Sequence, residues 1–420
     1  MKVKHNADGS LDRYKSRLVA KGYSQRPGFD FKETFAPTVR YSTIRIVLAL
    51  AALEDLELRS VDISHAYLNG TLEEEIYMTQ PEGFEVGGPD HVCKLVKSLY
   101  GLKQAGRVWN KTLHSALSSM GFNRVQSDHG LYIYLRDDVR LLMPVFVDDI
   151  TLACKDGAKI DSVIQELSQH FKLRDLGPTT QLLGIEIHRD RPNRQLSISL
   201  SQFISNLIQE HGLSDSKPVT TPLNPGTCLS TSMCPQNDAE ALEMQQYPYI
   251  SVVGSLMYLA VTKRPDIAYA AGVLARFNSN PGPAHWQAAN ITYSDADHGG
   301  NPDNGKSTGG YVVKIGSGVV SWSSKLQPLV ALSTTEAEHI SAVEAGKEIL
   351  WMRQFMGELG YDISGPSLLR MDNQSAIAVS KNPEHHSKMK HLSLRLFWLR
   401  DAVQDGLIAP TFCGDTGDGC

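Results

Sequence analysis

Three aspartates stand out for the company they keep. Asp62 lies in LRSVDI (residues 58–63), where Val61 and Ile63 share one face of an extended segment and Asp62 takes the other. Asp148 and Asp149 follow Phe146 and Val147 in LLMPVFVDDITLAC (residues 141–154), an apolar run interrupted by two carboxylates. A carboxylate among apolar strand residues is costly to bury unless something positive neutralises it. Hard carboxylate oxygens favour Mg²⁺, and a pair of such ions about 4 Å apart serves in-line phosphoryl transfer. The spacing from Asp62 to Asp148, 86 positions, lets two separate strands of one sheet supply the acids. An apolar pair followed by Asp-Asp is also the pattern of an exposed hairpin bend, and the residues alone leave both readings open.

The elements that must position these acids can be read from periodicity. Residues 58–63 read as a strand, and residues 141–154 as a hairpin with Asp148 and Asp149 at its bend. A helix is expected after Ser42 or Thr43 as N-cap, with Ile44, Val47, Leu48, Ala51 and Ala52 at helical spacing. The clearest helix places Trp109, Thr112, Leu113, Ala116, Leu117 and Met120 on one face and stops at Gly121. Another is expected from about Asp161 to Phe171, with Val163, Ile164, Leu167 and Phe171 inward. Five prolines between residues 214 and 248 mark a linker. Beyond it, Tyr311–Ile315 and Val319–Trp322 flank a Gly-Ser-Gly turn as a hairpin. Ser333 and Glu336 form a capping box that opens a helix running to Leu359, before Gly360. Residues 368–371 read as a strand ending at Asp372, followed by a helix from about Gln374.

Composition narrows the classes. The 420 residues correspond to about three domains, and 41% hydrophobic with 21% charged residues is the balance of a globular chain. Net charge is −5, yet residues 1–40 hold nine Lys and Arg against four Asp and Glu, a local basic excess. The longest apolar run, Ile46 to Leu53, is eight residues, against about 18 for a membrane span. The N-terminus lacks the apolar core of a secretory signal. The six cysteines have no zinc-type spacing and read as free thiols of a reducing compartment. Secreted, membrane and zinc-finger classes are thereby excluded.

RYKSRLVAKGYSQ, ETFAPTVRYSTIR, VDISHAYLNGTLEEEIYMTQPEGF, CKLVKSLYGLKQAGRVWN and FVDDI, in this order over residues 10–190, resemble the reverse transcriptase of copia-type LTR retrotransposons. The resemblance implies an α+β right-hand polymerase with fingers and palm, an RNA-directed DNA polymerase acting through two Mg²⁺, for which Mn²⁺ can substitute. It assigns Asp62, Asp148 and Asp149 as catalytic acids. Asp62 and Asp148 would hold both ions, assisted by the backbone carbonyl of Ile63. Tyr67 occupies the aromatic position beneath the sugar, where the family usually has Phe. Lys15, Arg17 and Lys21 become triphosphate and template contacts, consistent with the local basic excess. Tyr100 and Gly101 border the incoming nucleotide, and Leu183 and Gly184 grip the primer end. The implied partners are an RNA template, a DNA primer, their RNA–DNA hybrid and deoxynucleoside triphosphates, with no membrane. The implied location is cytoplasmic, in virus-like particles, with the nucleus also open.

YSDADHGG (residues 293–300), KSTGGYV, VSWSSKLQPLVALSTTEAEHISAVEA and MDNQSAI resemble the ribonuclease H domain of the same elements. VGSLMYLAVTKRPDIAYA (residues 253–270) matches the connection between the two. Asp295, Glu338 and Asp372 are then the acids of a second two-metal site that hydrolyses the RNA strand of a hybrid. The implied organisation is fingers and palm over residues 1–212, a shortened linker and connection over 213–290, a mixed α/β ribonuclease H-like domain over 291–413, and an irregular tail over 414–420.

The chain also departs from the family pattern. It opens inside the fingers, and Asp295 comes only nine positions after Trp286, a shortened lead-in. His298 stands where the family has Trp, and Gly106 where it commonly has Pro. The fourth ribonuclease acid has no counterpart, Asp415 and Asp418 being poor substitutes. His385, His386, Lys388, Lys390 and His391 form a cluster that suits either phosphate contact or a solvated loop. The expectation is a polymerase with an impaired ribonuclease; the alternative is an inactive remnant that at most binds nucleic acid.

Overall fold

The alternation in ELRSVDI builds β3 (Glu57–Ile63), whose Val61 and Ile63 are each 1% exposed while Asp62 between them stays half-buried. In the computed structural model this strand sits inside a six-stranded antiparallel sheet. Residues 2–5, 11–88, 90–136, 138–211, 222–223, 228–291, 302–381 and 393–414 are described. They divide into two units, Met1–Thr180 and Gln181–Cys420, each mixed α/β.

The first unit opens with a hairpin of β1 (Lys2–His5) and β2 (Leu11–Lys15). Helix α1 (Tyr41–Leu53) precedes β3, and a second hairpin, β4 (Thr71–Thr79) with β5 (Val92–Lys97), follows it. Next come α2 (Ala105–Ser119), β6 (Asn123–Arg124), β7 (Leu131–Arg136), β8 (Val139–Phe146), β9 (Asp149–Cys154), α3 (Gly157–His170) and β10 (Leu173–Pro178). The large sheet runs β10-β3-β9-β8-β7-β6, so β10 is an edge strand beside β3. Its core is built by Trp109, Leu113 and Leu117 of α2 and Ile160, Val163 and Leu167 of α3 against Val61, Ile63, Val145, Ile150 and Leu152.

Two helix starts differ from the sequence reading. Neither Ser42 nor Thr43 caps α1; the N-cap is Arg40, with no side-chain cap bond of its own. The carboxylate of buried Asp128 does that work from a distance, accepting from Arg40 N (3.0 Å) and Thr43 Oγ1 (2.6 Å). Helix α3 begins four residues earlier than expected, because Asp156 caps it by accepting from Ala158 N at 2.9 Å.

The second unit starts with a three-stranded sheet, β11 (Gln181–Leu182), β12 (Ile185–Asp190) and β13 (Gln195–Ser199), followed by α4 (Ser201–Glu210). The described part of the expected linker is not featureless: Asn237 caps α5 (Asp238–Met244), its side chain accepting from Glu240 N. Helices α6 (Tyr249–Thr262), α7 (Ala268–Ala275) and α8 (Pro283–Ile291) then pack together. The hairpin β14 (Thr308–Ile315) and β15 (Gly318–Leu326) turns through Gly316-Ser317 and leads to α9 (Thr334–Glu358), capped by Ser333. After α9 come β16 (Ser367–Met371), α10 (Gln374–Lys381), α11 (Ser393–Gln404) and β17 (Ile408–Phe412), the last pairing in parallel with β16. Val343 and Ile349 of α9 share a core with Leu369, Met371, Leu399 and Ile408. Cys413 is disulfide-bonded, so the reading of six free thiols does not hold; Cys93, Cys154, Cys228 and Cys234 are free. No described helix is long and apolar enough to cross a membrane.

Candidate active site

The sheet brings the first three acids together. Asp62 near the end of β3 pairs in register with Asp149, the first residue of β9. Directly opposed residues of an antiparallel pair carry their side chains on the same face. Asp148 belongs to the turn between β8 and β9, whose two central residues are Val147 and Asp148. The bend therefore holds one aspartate rather than both. Val147 has φ 58, although it is β-branched, a conformation a two-residue hairpin of this kind demands and most residues resist. Two anchors hold the turn: the indole N–H of Trp109 donates to Val147 O at 2.8 Å, and Ile63 N–H donates to Asp148 O at 3.0 Å. One anchor comes from α2 and the other from β3, so Asp148 is located by both layers of the core.

The electrostatics follow from this crowding. Burial, then the charges of Asp148 and Asp62, hold the carboxyl of Asp149 above the ordinary aspartate range. On the other side of β3, Asp62 is also in register with Arg174 of the edge strand β10, which is exposed. The row across the sheet thus reads Phe146, Asp149, Asp62, Arg174.

An aromatic pair borders the acids. Tyr67 lies on a 3-10 turn (Ala66–Asn69) that follows β3, and its ring meets that of Tyr100 edge-on, with centroids 5.1 Å apart. The guanidinium of Arg17 stands 4.9 Å over the Tyr100 ring. Burial raises both phenols first, and the charge of Asp148 raises each of them further. The backbone joins the basic segment to this loop: Ala20 N–H donates to Tyr100 O at 2.7 Å. Gly101 has φ 90, and a Cβ there would lie 2.1 Å from Ala20 O. Lys21 is the exposed residue that follows Ala20, and Lys15 ends β2 in register with Lys2.

Three contributors were not legible as functional. Trp109 fits its helical stripe as a core residue, and nothing in the pattern signals its N–H. Gln104, 1% exposed, ties the loop together by donating to Asp30 O (2.9 Å) and accepting from Gln25 Nε2 (3.1 Å). Arg174 acquires its place only through strand register.

The remaining candidates lie in the second unit. Leu183 and Gly184 are the central residues of the turn between β11 and β12, both at positive φ, 51 and 81. Glu338 is half-buried near the start of α9, and Asp372 is exposed directly after β16. Asp295, His298, the cluster from His385 to His391, Asp415 and Asp418 lie outside the described residues. Among the described residues, no three His, Cys, Asp or Glu side chains are gathered closely enough to form a ready-made metal cage.

Residues 1–225 match the family model for reverse transcriptase (RNA-dependent DNA polymerase). The retrovirus-related Pol polyprotein from transposon TNT 1-94 of Nicotiana tabacum is 43% identical over 429 residues, covering 96% of this chain and 32% of the polyprotein. The retrovirus-related Pol polyprotein from transposon RE1 of Arabidopsis thaliana is 38% identical over 430 residues, covering 96% of this chain and 29% of its own length. A putative transposon Ty5-1 protein of Saccharomyces cerevisiae is 34% identical over 315 residues, 69% of this chain and 100% of that protein. The chain spans about a third of the length of the two plant polyproteins.

Proposed function

This chain belongs to the reverse transcriptase family of copia-type retrotransposon Pol polyproteins, and we propose that it is an RNA-directed DNA polymerase with fingers and palm, whose catalytic acids are Asp62, Asp148 and Asp149. The observation that carries the reading is the in-register pair Asp62–Asp149, with Asp148 pinned in the adjoining turn. Asp149, whose carboxyl is raised by burial and then by its two acidic neighbours, is relieved when a cation joins the three.

The donor set fits Mg²⁺: hard oxygens, crowded, and few. Magnesium at phosphoryl-transfer sites takes one or two carboxylates and completes its shell with water and substrate phosphates, so no three-ligand protein cage is needed. Asp62 and Asp148, with the Ile63 carbonyl, would hold the ions, which supply activation of the primer 3′-hydroxyl and charge neutralisation on the triphosphate. The protein's own work is positioning. Tyr67, braced by Tyr100, presents a bulky ring where a ribose 2′-hydroxyl would clash, favouring deoxynucleotides. Arg17, Lys15 and Lys21 meet triphosphate and template phosphates, and Gly101 lets the nucleotide-bordering loop close on the basic segment. The Leu183–Gly184 turn contacts the primer end. Residues 291–413 would form the ribonuclease H-like domain, with Asp295, Glu338 and Asp372 acting slowly on the RNA–DNA hybrid. The location would be cytoplasmic virus-like particles.

Primer extension tests the reading. Purified protein with an RNA template, a DNA primer, deoxynucleoside triphosphates and Mg²⁺ or Mn²⁺ extends the primer, and chelation or Asp148→Asn abolishes extension. If wild type and Asp148→Asn are equally inert, the chain is a remnant that at most binds nucleic acid. Rapid cutting of a labelled hybrid overturns the slow ribonuclease.

A further inference from the structure

The turn at Leu183–Gly184 is held in an unfavourable backbone state. Leu182 and Ile185 pair across β11 and β12, leaving Leu183 and Gly184 as the two central residues, with φ 51 and 81. A two-residue hairpin with both centres left-handed is favoured for Asn-Gly and resisted by a leucine. Such a residue persists only where its surroundings hold it, and such strain clusters at ligand contacts.

Tyr258 of α6 is what holds it. Its hydroxyl donates to Leu183 O at 3.1 Å, and a Cβ on Gly184 would lie 2.9 Å from that Tyr258 hydroxyl oxygen. Its ring rests on Phe203 of α4, with centroids 4.9 Å apart. The hydroxyl thus meets both central residues of the turn, and α4 and α6 together fix where it stands. We infer that Tyr258 is a positioning residue for primer binding: it holds Leu183–Gly184 in the turn that receives the primer end. The catalytic turn is built the same way, with Trp109 donating to the carbonyl of left-handed Val147. The inference rests on reading Leu183–Gly184 as the primer contact, and it adds the residue on which that contact depends.

Tyr258→Phe removes one hydroxyl and keeps the ring on Phe203. The loss of this hydrogen bond weakens the Kd for an RNA template annealed to a DNA primer by about fivefold. The KM for deoxynucleotide stays within about twofold, because the hydroxyl lies against the primer turn and not against the residues proposed to meet the nucleotide. Leu183→Asn supplies the second variant. Asn-Gly adopts this turn unaided, so in the Leu183→Asn background Tyr258→Phe changes the Kd by less than about twofold. An effect of equal size in both backgrounds, or one that falls on nucleotide KM, overturns the inference.

Because the Kd is measured without nucleotide, the two readings fail separately. A protein that binds the duplex in a Tyr258-dependent way but never extends it loses the polymerase reading and keeps this one. A protein that extends primers while its Kd ignores Tyr258→Phe does the reverse. A protein that neither binds nor extends loses both.

Discussion

Val147→Gly separates the strain of the catalytic turn from its packing. Val147 sits at φ 58, is half-buried, and packs against the main core of its unit. Glycine relieves a left-handed penalty of about 1–2 kcal/mol. Against that stand an entropic cost of about 0.5–1 kcal/mol for glycine and about 1 kcal/mol for a half-buried valine side chain. The terms nearly cancel, so the urea midpoint is expected to move by less than about 1 kcal/mol equivalent. Activity is not expected to cancel. Asp148 is the next residue, and a glycine turn no longer ties its position to the strand geometry; a displacement near 1 Å costs on the order of 100-fold in rate. The expected result is single-turnover primer extension slowed by roughly tenfold or more at unchanged stability. Extension at the wild-type rate would show that the strained turn does not position Asp148. A loss above about 3 kcal/mol would show that packing, not backbone strain, dominates at this site.

Three further outcomes follow from the same geometry. Asp149 is held above its ordinary range, so its ionised form weighs against the fold: stability present below about pH 4 is lost as pH rises through the raised value. Asp149→Asn therefore raises the urea midpoint at about pH 7 and leaves it unchanged near pH 3, while extension falls; equal midpoints at the higher pH contradict the reasoning. Asp128→Ala strips the acceptor from Arg40 N, Thr43 Oγ1 and Gly130 N at a site 5% exposed. It is expected to cost about 3 kcal/mol in chemical denaturation. Gly101→Ala forces a Cβ to within 2.1 Å of Ala20 O at φ 90. It opens the contact between the basic segment and the Tyr100–Gly101 loop, and, on the proposed role of that loop, raises nucleotide KM by on the order of tenfold in steady-state extension.

What the sequence revealed follows the range of the forces involved. The alternation around Asp62 showed which way its side chain points, because strand facing is set by neighbouring residues. Helix α2 was visible through its apolar stripe and stop, and α9 through its capping box and stop, Gly121 and Gly360 both having left-handed φ. The pairing of Asp62 with Asp149 and with Arg174 is a matter of register between distant strands, which local pattern does not encode. The start of α1 was misread for the same reason: Asp128 reaches it across 85 residues from Thr43 and 88 from Arg40, and local Ser and Thr are not needed as caps. Prolines between residues 214 and 248 hid α5, which a single asparagine suffices to start. Leu183 carries no sign of its left-handed state, because leucine is a residue that avoids it.

The two strained turns show why a side chain that resists the conformation is useful there. A glycine at position 147 would adopt the turn alone, and Asp148 would then be placed by local backbone preference. Valine resists it, so the turn leans on Trp109 at the Val147 carbonyl and on Ile63 at that of Asp148, and Trp109 is 1% exposed and packed edge-on against Phe171, with centroids 5.1 Å apart. The position of the acid thereby inherits the rigidity of the core, which preorganised catalysis requires. Tyr258 is only half-buried, and its turn is exposed at Gly184. A left-handed penalty of about 1–2 kcal/mol set against a hydrogen bond worth about 1 kcal/mol leaves that second turn close to balance. Under the proposed function the rigid turn would lie beneath the reacting atoms and the more yielding one at the primer, a pairing that suits fixing each nucleotide and then letting the product strand advance.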